Sequence, residues 1–422
     1  MSIALLDGVR PRHLGAAVRR RLTEEPVVVL AGARAVGKST LLRALGGDLG
    51  APVVDLDDLA TRDAVAADPA LFVEGTSPVL IDEFQHVPAV LDAIKAELNR
   101  DARPGRFVLT GSTRYESLPL AAQSLTGRVH VVTAWPLSQG ELRRHQETFL
   151  DQLVVDPSKL VRRAASRLTR GDYAEVALAG GFPFPLQRPV GPSRSRWYRD
   201  YVDLVLRREI LGLRQVRHPE RLPDLLRHLA AQTAQPLNMS AAARRAGLTE
   251  DVAEQYTRLL EAVFLIHRLP AWGATLGSRM ARHPKLHMVD TGLAGWLMGL
   301  SQAKLVAKTP VALTEFGHLL ETFATNEILK QASWSDGILT FSHFRTHDGV
   351  EVDLIVERDD GGVAAVEVKA GSRVVGEDLS GLRHLRERLG SRFVGGVALH
   401  AGANSYTAEE GIHVLPVDAL WR

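Results

Sequence analysis

Two glycines, a lysine and two hydroxyl residues stand together in LAGARAVGKST, Leu30 to Thr40. Gly32, Gly37, Lys38 and Ser39 fit the pattern G-x-x-x-x-G-K-[ST]. Glycines tolerate positive φ and let backbone N–H groups close on an anion. A lysine at this place reaches the β- and γ-phosphates of a nucleotide, and the Ser39 hydroxyl suits Mg²⁺. Thr40 adjoins both and joins the expected nucleotide contacts. Asp82 and Glu83 end a second apolar run, Val79 to Ile81. Beside a phosphate loop, such a pair suggests Asp82 for Mg²⁺ and Glu83 for orienting the attacking water. A pair of helix-capping acids is the alternative, because AVLDAIKAEL follows closely. Thr110, Ser112 and Thr113 end a third run, RFVLTGST, where Ser112 could sense the γ-phosphate; Thr-Gly-Ser is also ordinary turn chemistry.

These residues need strand ends to hold them. VVVL before the loop reads as a short strand buried on both faces, and TLLRAL after it has helical apolar spacing. In a parallel α/β sheet, ligands bind beyond the carboxyl ends of the strands. Residues 1–147 are therefore expected to form a nucleotide domain, entered through a basic amphipathic helix in RPRHLGAAVRRRL. Arg128 follows the third strand and could act on ATP in its own or a neighbouring subunit, or be a plain surface arginine.

Residues 148–305 read as helical, with a Pro/Ser/Arg-rich connection in QRPVGPSRSR expected as a loop. From Ser193 to His228 there are nine arginines (194, 196, 199, 207, 208, 214, 217, 221 and 227) against five acids. Trp197, Tyr198 and Tyr201 stand at its start, and arginine with aromatics suits stacking on DNA or RNA. A solvated helix face over a buried aromatic stripe is the other reading, and Arg207 or Arg208 could instead reach the ATP site. Residues 238–270 suggest a helix-turn-helix with a winged-helix strand after it, Thr249 capping the second helix. That helix opens with Glu250 and Asp251, which would repel phosphate, so packing or protein contact is favoured over DNA reading.

Residues 306–422 return to strand patterning. Glu351 and Asp353 alternate on one strand, Glu367 and Lys369 on the next, and Glu321 lies in an apolar helix upstream. A hairpin with cross-strand Glu–Lys pairs would explain the same pattern.

In order and spacing the chain resembles the prokaryotic AAA-type ATPases that carry a C-terminal domain of unknown function. The matching pieces are GARAVGKSTLL, VLIDEFQHVP, VLTGST, SLTGRV with PLSQGEL, GGFP, RDYVDLVLRREI, HPKLHMVDTGLA, and GVEVDLIVE with AAVEVKA. The resemblance implies ATP binding. An acid on a helix, an acid on one strand and E-x-K on the next resemble the restriction-endonuclease-like fold. That likeness would give Asp353 and Glu367 to Mg²⁺, Lys369 to developing charge, and Glu321 as the completing acid.

The chain has 422 residues, 45% hydrophobic and 24% charged, which suits two or three globular domains. It has no cysteine, so disulfides, cysteine nucleophiles and thiolate zinc sites are excluded, in keeping with a reducing cytoplasm. No stretch has the length of a secretory core or a membrane span. With a net charge of +2, any nucleic-acid surface must be local. The expectation is a Mg²⁺-dependent ATPase, open to forming a homo-oligomer, acting on nucleic acid with a gripping or cutting C-terminal domain. Its rival is an ATP-controlled protein switch with a silent nuclease fold.

Overall fold

A computed structural model describes residues 8–75, 78–113, 125, 127–162, 164–211, 216–273 and 283–422. Strands β1 (Val27–Ala31), β2 (Val53–Asp55), β3 (Val79–Asp82), β4 (Phe107–Gly111) and β5 (Val129–Thr133) form one parallel sheet in the order β2-β3-β4-β1-β5. β1 and β4 are buried at every position, as β-branched runs covered on both faces must be. β4 enters between β1 and β3, so the ends of all three meet at one rim. The helix Lys38–Leu49 leaves β1 there, and the helix Leu14–Leu22 precedes it.

The middle of the chain is helical. The helix Pro192–Leu204 starts with Pro192 in its first turn, so half of the expected Pro/Ser/Arg-rich loop is helix. It continues through a π-helical stretch, Val205–Ile210. Helices Met239–Ala246 and Glu250–Ala262 turn at Gly247, where φ is +68°. Thr249 stands at the N-cap of the second helix, but its side chain makes no capping bond there. Three short strands, β6 (Gln235–Pro236), β7 (Ile266–Leu269) and β8 (Lys285–Met288), pair antiparallel in the order β6-β8-β7. The GGFP and MVDTGLA motifs meet nearby. Asp290 Oδ2 accepts from Gly181 N at 2.7 Å and Oδ1 from Leu293 N at 2.8 Å. At Gly180, φ is +66° and a Cβ would lie 2.5 Å from that carboxylate, so only glycine fits.

The C-terminal unit is a separate six-stranded sheet, β13-β14-β12-β11-β10-β9. Its strands are β9 (Leu339–Arg345), β10 (Glu351–Arg358), β11 (Val363–Lys369), β12 (Phe393–His400), β13 (Tyr406–Glu409) and β14 (Ile412–Pro416). The helix Ser380–Leu389 packs on β11 and β12, and the helix Phe149–Val155 reaches the same two strands from far upstream.

The helix Pro310–Ala332 ties the three units together. It is buried nearly all round, and its polar residues find partners in each unit. Thr322 meets Thr233 at 2.8 Å, Glu327 accepts from Gln139 N at 2.8 Å, and Gln331 donates to Leu420 O at 2.8 Å. Buried polar groups are tolerated only when paired in this way. Among the described residues no helix is long and apolar enough to cross a membrane.

Candidate functional site

The glycine loop wraps the start of the helix Lys38–Leu49. Gly37 takes φ +96°, and Ala35 takes +64° without being a glycine, a conformation that costs energy and marks a constrained loop. The first N–H groups of a helix have no partner within it, so they face the loop's hollow. Lys38 is buried there, and its Nζ donates to the carbonyls of Gly32 at 3.0 Å and Ala33 at 3.1 Å. Burial pulls its pKa down, while Glu83, Asp82 and Glu209 oppose that fall. The loop is braced from outside by Arg12, which donates to Val36 O at 2.6 Å, Trp135 O at 2.7 Å and Glu141 Oε1 at 2.9 Å.

Asp82 and Glu83 end β3 beside the loop, both buried. Thr110 Oγ1 donates to Asp82 and accepts from Glu83 N at 3.2 Å. Glu83 adopts φ +52°, and the Gln85 amide donates both to its carboxylate and, at 3.1 Å, to Ser112 Oγ. Ser112 Oγ in turn donates to Glu209 Oε2 at 2.8 Å, and Glu209 also pairs with Arg34 of the loop. A cavity of about 430 Å³ opens over Lys38, Ser39, Thr40 and Glu83, with Arg10 and a half-exposed Phe184 on its other side.

Several expectations change. Arg128 precedes β5 and donates to Asn99 at 2.8 Å. That is the amino end of the sheet, a full strand away from the phosphate loop, so Arg128 does not serve the site of its own chain. Arg207 and Arg208 point outward, exposed; their neighbour Glu209 is the one that reaches the nucleotide loop. In the arginine-rich segment, Arg194 is buried and donates to Arg188 O at 2.8 Å, and Arg199 pairs with Asp200 at 3.1 Å. Trp197 stacks on Tyr201 with centroids 4.9 Å apart, and Tyr198 and Tyr201 are buried. The aromatics thus face inward. Arg214 lies outside the described residues, as do Ser124 and Thr126 of the SLTGRV motif.

At the C-terminal cluster, the β10–β11 pairing ends with Leu354 opposite Val366, and Glu351, Asp353, Glu367 and Lys369 lie just beyond it. The β9–β10 register breaks between Val352 and Ile355, around Asp353. The carboxylates converge, but on a cation from another unit. Lys285 Nζ, at the start of β8, lies 2.6 Å from Glu321, 2.6 Å from Glu351 and 3.0 Å from Asp353. Burial opposes its charge, yet Asp353, Glu321 and Glu351 outweigh that and hold its pKa well above the usual lysine range. Lys369 pairs with Glu367 at 2.8 Å, and Asp353 Oδ2 accepts from Val368 N at 2.9 Å. Burial and then Asp353 push Glu367 up to about 8. The Lys285 ammonium takes the place among Glu321, Glu351 and Asp353 that a divalent cation would need, beside a cavity of about 540 Å³ lined by these acids, Glu367 and Lys369. Among the described residues no group of acids, histidines or cysteines has the arrangement of a metal site. The acids expected around Mg²⁺, Asp353 and Glu367 with Glu321, and Lys369 beside them, stand here as an ion-pair cluster. Lys285 was not legible as its centre, being one basic residue on a short strand some 70 positions from Asp353.

Residues 24–143 match the AAA domain family, residues 170–304 a domain of unknown function (DUF8612), and residues 316–420 another domain of unknown function (DUF4143). The chain is 28% identical over 355 residues to an uncharacterized protein of Mycobacterium bovis and equally to one of Mycobacterium tuberculosis, covering 83% of this chain and 71% of each relative. A Walker-type ATPase of Pyrococcus abyssi overlays with a TM-score of 0.41 and 16% identity, covering 69% of this chain and 99% of that one. The RuvB Holliday junction branch migration motor of Thermotoga maritima overlays with a TM-score of 0.28 and 18% identity, covering 61% and 87%. Overlays this loose decide nothing about the chain. The AAA match and the gathered loop concern the same residues, and residues 24–143 are an AAA-type P-loop ATPase domain.

Proposed function

We propose that the chain hydrolyses ATP at the rim formed by β1, β3 and β4, and uses the nucleotide state to reposition its helical region. The observation that supports this is the meeting of Lys38, Ser39, Thr40 and Glu83 at one cavity, with Asp82 and Ser112 tied to Glu83 through Thr110 and Gln85. Lys38 binds the β- and γ-phosphates and offsets charge on the transferring group. Ser39 and Asp82 would hold Mg²⁺, which supplies neutralisation of the phosphate oxygens. Glu83 orients water against the terminal phosphorus, once its carboxylate leaves Gln85. Phe184 offers a flat apolar wall for the base.

The C-terminal domain acts in this reading as a silent module. Lys285 holds the carboxylates that a nuclease would give to metal, so no cleavage of DNA or RNA is expected even with Mn²⁺. A role on nucleic acid rests on a different observation. Arg196, Arg207 and Arg208 are all exposed on the helix that begins at Pro192 and its π-helical continuation. A homo-oligomer in which these arginines face a neighbour is equally open to test.

ATP turnover with and without single-stranded DNA, double-stranded DNA and RNA tests these readings together. Stimulation by a polymer supports the nucleic-acid role; turnover that ignores all three favours the protein switch. Lys38→Ala should abolish turnover, and a purified variant that hydrolyses at the parent rate would remove the phosphate loop from the mechanism.

A further inference from the structure

Glu209 has no duty in the scheme above, yet it reaches the phosphate loop. It belongs to the helical region, on the π-helical stretch that prolongs Pro192–Leu204. One of its oxygens pairs with Arg34 of the phosphate loop, and the other accepts from Ser112 Oγ at 2.8 Å. Its charge is also felt at Lys38. A loop arginine, the hydroxyl beyond β4 and the loop lysine are three groups suited to a terminal phosphate. All three face a carboxylate sent in from another unit.

A carboxylate and a phosphoryl group compete for such partners, since both are oxyanions that accept two bonds from a guanidinium fork. Two anions within a few ångströms of each other also repel strongly in a site shielded from water. A diphosphate brings no group to this seat and leaves Glu209 where it is. A triphosphate brings one.

We propose that Glu209 holds the seat of the terminal phosphate of a nucleoside triphosphate, and that triphosphate, unlike diphosphate, expels it and moves residues 205–211. This rests on the nucleotide reading of the phosphate loop. The surrounding helix is suited to the change. Its i→i+5 turns are less favourable than α-turns and occur at functional sites. Arg207 and Arg208 ride on the same stretch, so their exposed charges would shift with the nucleotide. The chain would thereby distinguish ATP from ADP through a residue of its helical region.

The test is calorimetric titration of the full chain with ADP and with the slowly hydrolysed analogue AMP-PNP, each with Mg²⁺, for parent and Glu209→Gln. Replacing the carboxylate removes the competing anion while keeping its shape. The expected result is at least fivefold tighter AMP-PNP binding and ADP binding changed less than twofold. Weaker AMP-PNP binding, or equal changes for both nucleotides, overturns the proposal. Should Glu209→Gln misfold, hydrogen exchange on the parent decides. Faster exchange in residues 205–211 with AMP-PNP than with ADP supports displacement, and equal exchange overturns it. A parent that binds neither nucleotide fails at the earlier step, and the phosphate-loop reading falls with this one.

Discussion

Lys285 Nζ stands 3.0 Å from Asp353 Oδ1, on a strand of the helical region that feeds a cation into the acids of the C-terminal sheet. With Glu321 and Glu351 at 2.6 Å each, the ammonium has three carboxylate partners and is almost fully buried. Fully ionised, four acids, Glu321, Glu351, Asp353 and Glu367, would face three cations, Lys285, Lys369 and Arg345, and that excess of negative charge favours protons on the buried acids. The raised pKa values of Glu321 and Glu367 follow, burial first and Asp353 second in both.

Lys285→Met should destabilise the protein by about 3–5 kcal/mol, because removing one partner leaves buried charge uncompensated. Denaturant melts at neutral pH check this. Added Mn²⁺ should restore part of the loss in the variant and leave the parent unchanged. A variant as stable as the parent would mean that the acids are already neutral without Lys285.

The pH dependence of the cluster has a definite sign. Glu367 moves from its ordinary value of 4.5 up to about 8 in the folded chain. Below pH 4.5 it is protonated in both states, and its contribution is fully present. As pH rises toward 8 the unfolded chain releases the proton first, so stability is lost across that window. Glu367→Gln abolishes this loss. Its stability relative to the parent should therefore improve between pH 5 and pH 8, by roughly 2–4 kcal/mol. Thermal melts of both proteins at the two pH values measure the difference, and a pH-independent gap would contradict the assignment.

Glu83 and Gln85 should separate in kinetics. Glu83→Gln keeps the phosphate contacts and is expected to bind ATP while losing about 10² or more in turnover, the usual size of a general-base effect. Gln85→Ala frees the Glu83 carboxylate from the amide that now holds it. Turnover should then rise with little change in ATP affinity. If Gln85→Ala instead slows hydrolysis, the amide belongs to the water-positioning machinery.

The arginine-rich segment divides into two groups. Arg194→Ala should cost stability, about 1–3 kcal/mol, because that side chain is buried against the Arg188 carbonyl. Joint replacement of Arg196, Arg207 and Arg208 should leave the melting temperature alone. If these three contact phosphates, the slope of log affinity for single-stranded DNA against log salt should shallow by about 2. Binding with the parent's salt dependence would place the contact elsewhere.

Local residue pattern was enough for the phosphate loop and the strands that flank it. Gly37, Lys38 and Ser39 act through local backbone geometry, and the buried runs of β1, β3 and β4 announce themselves by continuous apolar residues. β2 and β5 escaped because edge strands are short or half-exposed and lack that run. Alternation also placed Glu351 with Asp353 on one face of β10, and Glu367 with Lys369 on one face of β11, since it needs no tertiary knowledge. What filled the space between those acids was not legible. A side chain's charge partner depends on which distant segments pack together, and Lys285 reaches Asp353 only because the helix Pro310–Ala332 clamps the helical region onto the C-terminal sheet. Glu209 is the same case. A run of basic residues points to Arg207 and Arg208, but the phase of a helix with π-turns turns them outward and sends the acid beside them to the loop.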